Sequence, residues 1–191
     1  MSRLMCGAVE FSRGGVWTQV IDIGSVLFKH ADLNGCLFGV DNWGGFEPLF
    51  PARGLPVDCA ILDYSKDALG RPLQPGDLED PSWVSWSELR AVDWEVSAVA
   101  RDQRITEFAL RGGEEVEVTK SLNPRGLDWV REALHEDPES VVRTDGRAFR
   151  RLLLKRKDCL ADTEFPLVMK LMACLAERFG EDSVRVVVWF D

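Results

Sequence analysis

Residues 163–190, TEFPLVMKLMACLAERFGEDSVRVVVWF, set a helix directly before a strand. Val168, Leu171, Met172, Leu175 and Phe179 recur at i, i+3, i+4, i+7 and i+11, which gathers them on one helical face. Thr163 stands where an N-cap belongs and Gly180 where the helix must stop. Ser183 to Phe190 is then β-branched and aromatic, and apolar throughout from Val186, the pattern of a strand covered on both faces. An amphipathic helix feeding a buried strand predicts a helix-covered sheet.

Two further segments supply strands in pairs. Leu4 to Phe11 and Val16 to Ile23 flank Ser12-Arg13-Gly14-Gly15, and Ile105 to Leu110 and Val116 to Thr119 flank Arg111-Gly112-Gly113-Glu114. Both are hairpin signatures. In the second, Glu115 and Glu117 are expected to alternate outward from Val116 and Val118. Trp94 to Val99 is a candidate neighbouring strand, and Val141-Val142 a brief strand or a linker.

Shorter helices are marked by their caps. Asp32 is placed to cap a helix from Leu33 to about Val40, and Ser85-Trp86-Ser87-Glu88 has capping-box spacing ahead of a short helix to about Val92. Asn123-Pro124 followed by Leu127, Val130, Arg131 and Leu134 predicts a helix of about three turns ending near Asp137-Pro138. Asp41 to Pro56 reads as an ordered loop packed by Trp43, Phe46 and Phe50, and Gly70 to Pro81 as an exposed loop. No repeat or flexible linker divides the 191 residues. The expectation is one compact α+β domain over 1–191: a mostly antiparallel sheet of hairpins and a C-terminal strand, covered by helices.

Lys and Arg number 23 against 32 Asp and Glu, a net charge of −9 that repels phosphate backbones and anionic lipid. General nucleic-acid binding and membrane association are therefore not expected. The five cysteines, Cys6, Cys36, Cys59, Cys159 and Cys174, lie far apart without a C-x-x-C, which suggests reduced thiols in a cytoplasm; Cys174, inside the helix, reads as packing. No run reaches the roughly 18 apolar residues of a spanning helix.

Catalytic motifs are missing. His30-Ala31-Asp32 offers two metal ligands without the remainder of a site, and His135 reads as a helix C-terminal charge. There is no G-x-S-x-G, Walker A or G-x-G-x-x-G sequence. No catalytic residue, metal or cofactor is assigned.

Two features are suited to binding. Arg147 to Lys157, RAFRRLLLKRK, carries six basic residues and no acid in an acidic chain. On a helical projection Arg147, Arg150, Arg151 and Lys155 share one face, with Ala148, Phe149, Leu152 and Leu153 opposite, so the stretch is expected to be an amphipathic helix. Its basic face would hold phosphates or a partner's carboxylates, or would pair internally with the acidic excess. The loop carrying Trp43, Phe46 and Arg53 would stack on a flat ligand and grip its charge, or would pack the core.

The blocks VEFSRGGVW, FGVDNW at a helix end, GFEPLFPARGLPVD, SWVSWSELRAVDW and VRVVVWFD, in that order, resemble an uncharacterised family of small bacteriophage and bacterial proteins. Its blocks run from an opening strand through a helix ending in a V-R-N-like motif, an R-G-L-P loop and an S-W-L-T-L-x-E-L helix start to a closing V-R-L-V-F-W-F-D strand. Leu4-Met5-Cys6 stands where the family often has a D-I-H-like strand, so a function resting on that His does not carry over. The resemblance implies a phage or mobile-element setting and an accessory role. The leading expectation is a non-enzymatic cytoplasmic protein that sequesters an anionic nucleotide-like ligand or blocks a host or rival protein; the alternative is a hydrolase or transferase with a dispersed site.

Overall fold

The chain opens on a hairpin, β1 (Met5–Arg13) and β2 (Val16–Asp22), followed by α1 (Ala31–Phe38), α2 (Ile61–Tyr64), β3 (Glu79–Ser85) and α3 (Trp86–Arg90). A second hairpin, β4 (Ile105–Arg111) and β5 (Glu114–Ser121), precedes α4 (Asp128–Glu136), β6 (Val142–Thr144) and β7 (Arg147–Arg150). The long helix α5 (Phe165–Phe179) and the strand β8 (Val184–Phe190) close the fold. This computed structural model describes residues 2–24, 26–27, 30–64, 74–124 and 126–191. The strands form two antiparallel four-stranded sheets, ordered β2-β1-β8-β3 and β5-β4-β7-β6, within a single compact α+β domain.

β8 lies inside the first sheet, between β1 and β3, and every one of its residues is buried. Val184, Val186, Val188 and Phe190 join Met5 and Val9 of β1 and Phe165, Val168, Met172 and Ala176 of α5 in the main core. Val187 and Trp189 point the other way, with Ala8, toward Ile61 and Leu78. Two covered faces explain why β8 is apolar at successive rather than alternate positions. Arg185 is its exception: it meets buried Glu10 of β1 at 2.9 Å and Asp58 at 3.1 Å. A third cluster, Ile105, Phe149, Val130 and Leu134, seats α4 on the second sheet.

Local chemistry bears out the box at α3. The Ser85 hydroxyl accepts from the Glu88 amide at 3.2 Å, and the Ser85 amide donates to the Glu88 carboxylate at 3.0 Å. Burial tends to raise the Glu88 carboxyl, but hydrogen bonds from Ser85 and Arg53 outweigh it and hold the group below its ordinary range. Ser85→Ala is expected to cost about 1 kcal/mol in urea unfolding at pH 7. Because the folded Glu88 value is depressed, its contribution is complete above the unfolded value and is lost as pH falls through the folded one. The wild-type and Ser85→Ala stability curves should therefore converge in acid.

The stretch Arg147 to Lys157 is not a helix. Arg147–Arg150 is β7, hydrogen-bonded between β4 and β6; Lys155 makes a single bridge to Ser97, and a 3-10 turn follows over Arg156–Leu160. Ala148 and Phe149 are both buried because this sheet is covered on both sides there, and two adjacent apolar residues mimic a helical face. Pairing with β4 decided the conformation, and a single-segment pattern does not contain that partner.

Other expectations change in detail. Asp32 lies in the first turn of α1 without capping it and pairs instead with Arg104 and, at 3.5 Å, Lys120. Glu164 rather than Thr163 precedes α5, and the Thr163 hydroxyl bonds back to the Leu160 carbonyl at 2.9 Å. Trp94 to Val99 forms turns and the one bridge, not a strand. Of the loop read over Gly70 to Pro81, residues 70–73 lie outside the described residues, while Glu79 to Pro81 begin β3. That strand is at a sheet edge, where Pro and acidic residues are tolerated. Val116 and Val118 are 44% and 54% exposed, since β5 is also an edge and α4 packs over Ile105 and Phe149 instead. Cys174 is exposed: it lies about 200° around α5 from buried Met172.

Candidate anion-binding cleft

The residues singled out for binding fall in separate places. Phe46 is buried in the main core, and half-buried Trp43 has the Arg104 guanidinium 5.8 Å from its ring centroid. Arg53 contacts both Glu88 oxygens, at 2.9 and 3.1 Å, and lies 5.3 Å from the ring centroids of Phe50 and of Trp83. Its charge is therefore already paired, and two aromatic rings already lie beside its guanidinium.

Most of the basic stretch is neutralised across the second sheet and its flank. Arg147 meets Glu107 at 2.9 Å, and Arg150 meets Glu115 at 2.6 Å while stacking 4.1 Å from the Phe108 centroid. Lys155 and Lys157 share Glu95 at 3.0 and 2.9 Å. Glu115 is held below the ordinary carboxylate range chiefly by its hydrogen bond from Arg150, and Glu95 chiefly by the one from Lys157.

Arg151 differs. Its Nε is buried without a hydrogen-bond partner, and its guanidinium forms no ion pair among the described residues. Only its backbone is engaged, the carbonyl accepting from Arg101 Nη1 at 3.1 Å. The side chain lines a cleft of about 630 Å³ with Arg131, Glu132 and His135 of α4, and with Gln103, Leu122 and Asn123 from the ends of the second hairpin.

The cleft walls are fixed by non-local contacts. Gln103 donates its amide to the Trp43 carbonyl at 2.8 Å and lies between Asp102 and Arg104. Those neighbours are joined at 2.6 Å within a partly buried cluster, centred on buried Asp102, in which Asp32 pairs with Arg104 and Lys120 lies 3.5 Å from both aspartates. Two anions facing two cations in a low-dielectric site hold this corner rigidly. On the opposite wall, Asn123 receives a 2.9 Å hydrogen bond from Arg131, whose other guanidinium nitrogen is 3.5 Å from Asp128.

Two arginines, of which Arg151 forms no ion pair among the described residues, border a space lined also by two carboxamides, an imidazole, one carboxylate and an apolar side chain, an arrangement suited to an anion. The sequence reading named Arg151, for the wrong conformation, and viewed Arg131 and His135 only as helix residues. Gln103, Leu122 and Asn123 carry no motif; only the tertiary fold brings them to Arg151.

His30 Nε2 is 3.1 Å from Glu164 while Asp32 faces Arg104, so the two halves of the H-x-D motif have separate partners. Among the described residues no three His, Cys, Asp or Glu side chains are grouped to hold a metal ion, and no helix is long and apolar enough to cross a membrane. No protein-family model, curated protein or solved structure matches the chain.

Proposed function

We propose that the protein captures an anionic, nucleotide-like ligand in the Arg151 cleft and withholds it rather than transforming it. The observation that carries this reading is that Arg151, whose guanidinium forms no ion pair among the described residues, lines a cleft beside a second guanidinium, that of Arg131. A guanidinium without a counter-ion is a ready partner for an oxyanion entering the cleft. A space of about 630 Å³ is in the range of small-molecule sites. The carboxamides of Gln103 and Asn123 offer donors and acceptors to a base edge, and Leu122 offers an apolar wall. The resemblance of the block order to phage and bacterial proteins is consistent with an accessory role in which such capture keeps the ligand from other proteins.

Calorimetry with inorganic phosphate and a panel of nucleoside mono- and diphosphates tests the proposal. A binder should emerge whose affinity falls with added salt. Arg151→Ala should weaken it at least tenfold without lowering the melting temperature, whereas Arg53→Ala, already engaged by Glu88, should leave it unchanged. Binding by Arg151→Ala equal to that of the wild type would overturn the site. Conversion of the nucleotide during incubation would overturn capture in favour of catalysis.

A further inference from the structure

Resting on that capture reading, we infer that the ligand is two-ended: a dinucleotide whose linking phosphate sits at Arg151, with one nucleoside in the cleft already described and the other in a second cleft beyond it. Arg151 is shared. It also lines a space of about 540 Å³ bordered by Val99, Ala100, Arg101, Pro138 and Leu153. The C-terminal end of α4 and the residues after it connect the two, since His135 borders the first space and Pro138 the second.

Both clefts mix polar and apolar groups: the first has two carboxamides, an imidazole and Leu122, and the second has Arg101 and Glu139 beside its apolar side chains. The second presents Val99 and Leu153, which are 74% and 49% exposed although both are large and apolar. Exposed apolar side chains that line a concavity beside a binding group mark a place where a ligand completes the burial. A mononucleotide bound at Arg151 and filling the first cleft leaves them uncovered; a second nucleoside, presenting a flat apolar ring face, covers them.

Cations are concentrated where the linker would lie. Arg101 borders the second cleft and donates through Nη1 to the Arg151 carbonyl, while its Nη2 is 3.5 Å from Glu139, at the outer limit of a hydrogen bond. Arg101 and Arg151 thus both border the second cleft, and Arg131 borders the first. A diester linkage carries one negative charge and two non-bridging oxygens, which suits approach by two guanidinium groups. General affinity for long nucleic acid is opposed by the net charge of −9, so a short ligand is favoured over a polymer.

The test compares nucleoside 5′-monophosphates with linear dinucleotides containing a single phosphodiester, titrated calorimetrically into the wild type, Arg151→Ala, Leu153→Ser and Val99→Ser. The preferred dinucleotide should bind at least tenfold more tightly than either constituent monophosphate. Leu153→Ser and Val99→Ser should each remove most of that gain while leaving monophosphate affinity within about twofold; Arg151→Ala should weaken both ligands. Both side chains are exposed, and Val99→Ser serves alone should Leu153→Ser lower the melting temperature. If monophosphates bind but dinucleotides gain nothing, the two-ended ligand is overturned while the capture reading stands. A gain that survives both serine variants also overturns it, because the second nucleoside then lies elsewhere. Absence of binding by either class overturns the capture reading itself, and this inference with it.

Discussion

Replacing Arg185 with Met should destabilise the protein by about 3–5 kcal/mol near neutral pH, the cost of leaving a buried carboxylate without its counter-charge. Glu10 has no accessible surface, and its charged neighbour is the Arg185 Nε at 2.9 Å. The same guanidinium reaches Asp58 at 3.1 Å and packs 3.6 Å from the Trp17 centroid, while Trp17 Nε1 donates to Asp58 at 2.7 Å. Strands β1, β2 and β8 and the chain leading into α2 therefore meet at one side chain.

The pH dependence has a definite sign. Burial pushes the Glu10 carboxyl above its ordinary value, against the pull of Arg185. A raised carboxyl favours the fold in acid, and that contribution is lost as pH rises through the folded value. Without Arg185 the carboxyl moves further up, so the variant's deficit should be largest at pH 7 and smaller at pH 5. Glu10→Gln combined with Arg185→Met should recover part of the loss, because a neutral amide is cheaper to bury than an unpaired anion. A deficit below about 1 kcal/mol for Arg185→Met in urea at pH 7 would show that water reaches Glu10.

Gly7→Ala is the second severe change, expected to cost roughly 3 kcal/mol or more from strained backbone and overpacking together. Gly7 faces Val188 across the β1–β8 ladder at φ +150°, and an added Cβ would fall 2.1 Å from the Val187 carbonyl oxygen and 2.9 Å from the Val188 Cα. Both obstacles are backbone in the most buried strand. Gly112→Ala provides the comparison: its φ is +61° but the space around it is open, so only the conformational cost of about 1–2 kcal/mol remains. Similar losses for the two variants, measured as shifts in urea midpoint, would refute close approach as the cause.

The sequence made legible those elements whose signals are local. The period of Val168, Met172 and Phe179 marked α5, the paired glycines marked both hairpins, and Ser85 and Glu88 marked their own box. Edge strands were harder, since Pro81 in β3 and exposed Val116 in β5 obey rules set by what lies beside the strand. RAFRRLLLKRK was misread as a helix because its strand partners, β4 and β6, lie elsewhere in the chain, whereas its expected alternative of internal pairing with the acidic excess is met by Glu95, Glu107 and Glu115. The cleft is non-local for the same reason: Arg151 became distinctive only once Arg147, Arg150 and Lys155 were paired.

The place of β8 also constrains how the chain is made. Met5 pairs with Phe190, so β1 must wait until β8 has been synthesised before this ladder can close. At roughly 5–20 residues per second the intervening chain takes on the order of ten to forty seconds to translate. During that interval the emerging β1–β2 hairpin offers Met5, Ala8 and Val9 to whatever surrounds the ribosome, without the strand that will cover them. The second sheet, whose strands lie between Ile105 and Arg150, has no such delay and can assemble first. The nascent protein therefore has reason to depend on a chaperone at its N-terminal end, and its yield should respond to translation speed more than its final stability would suggest.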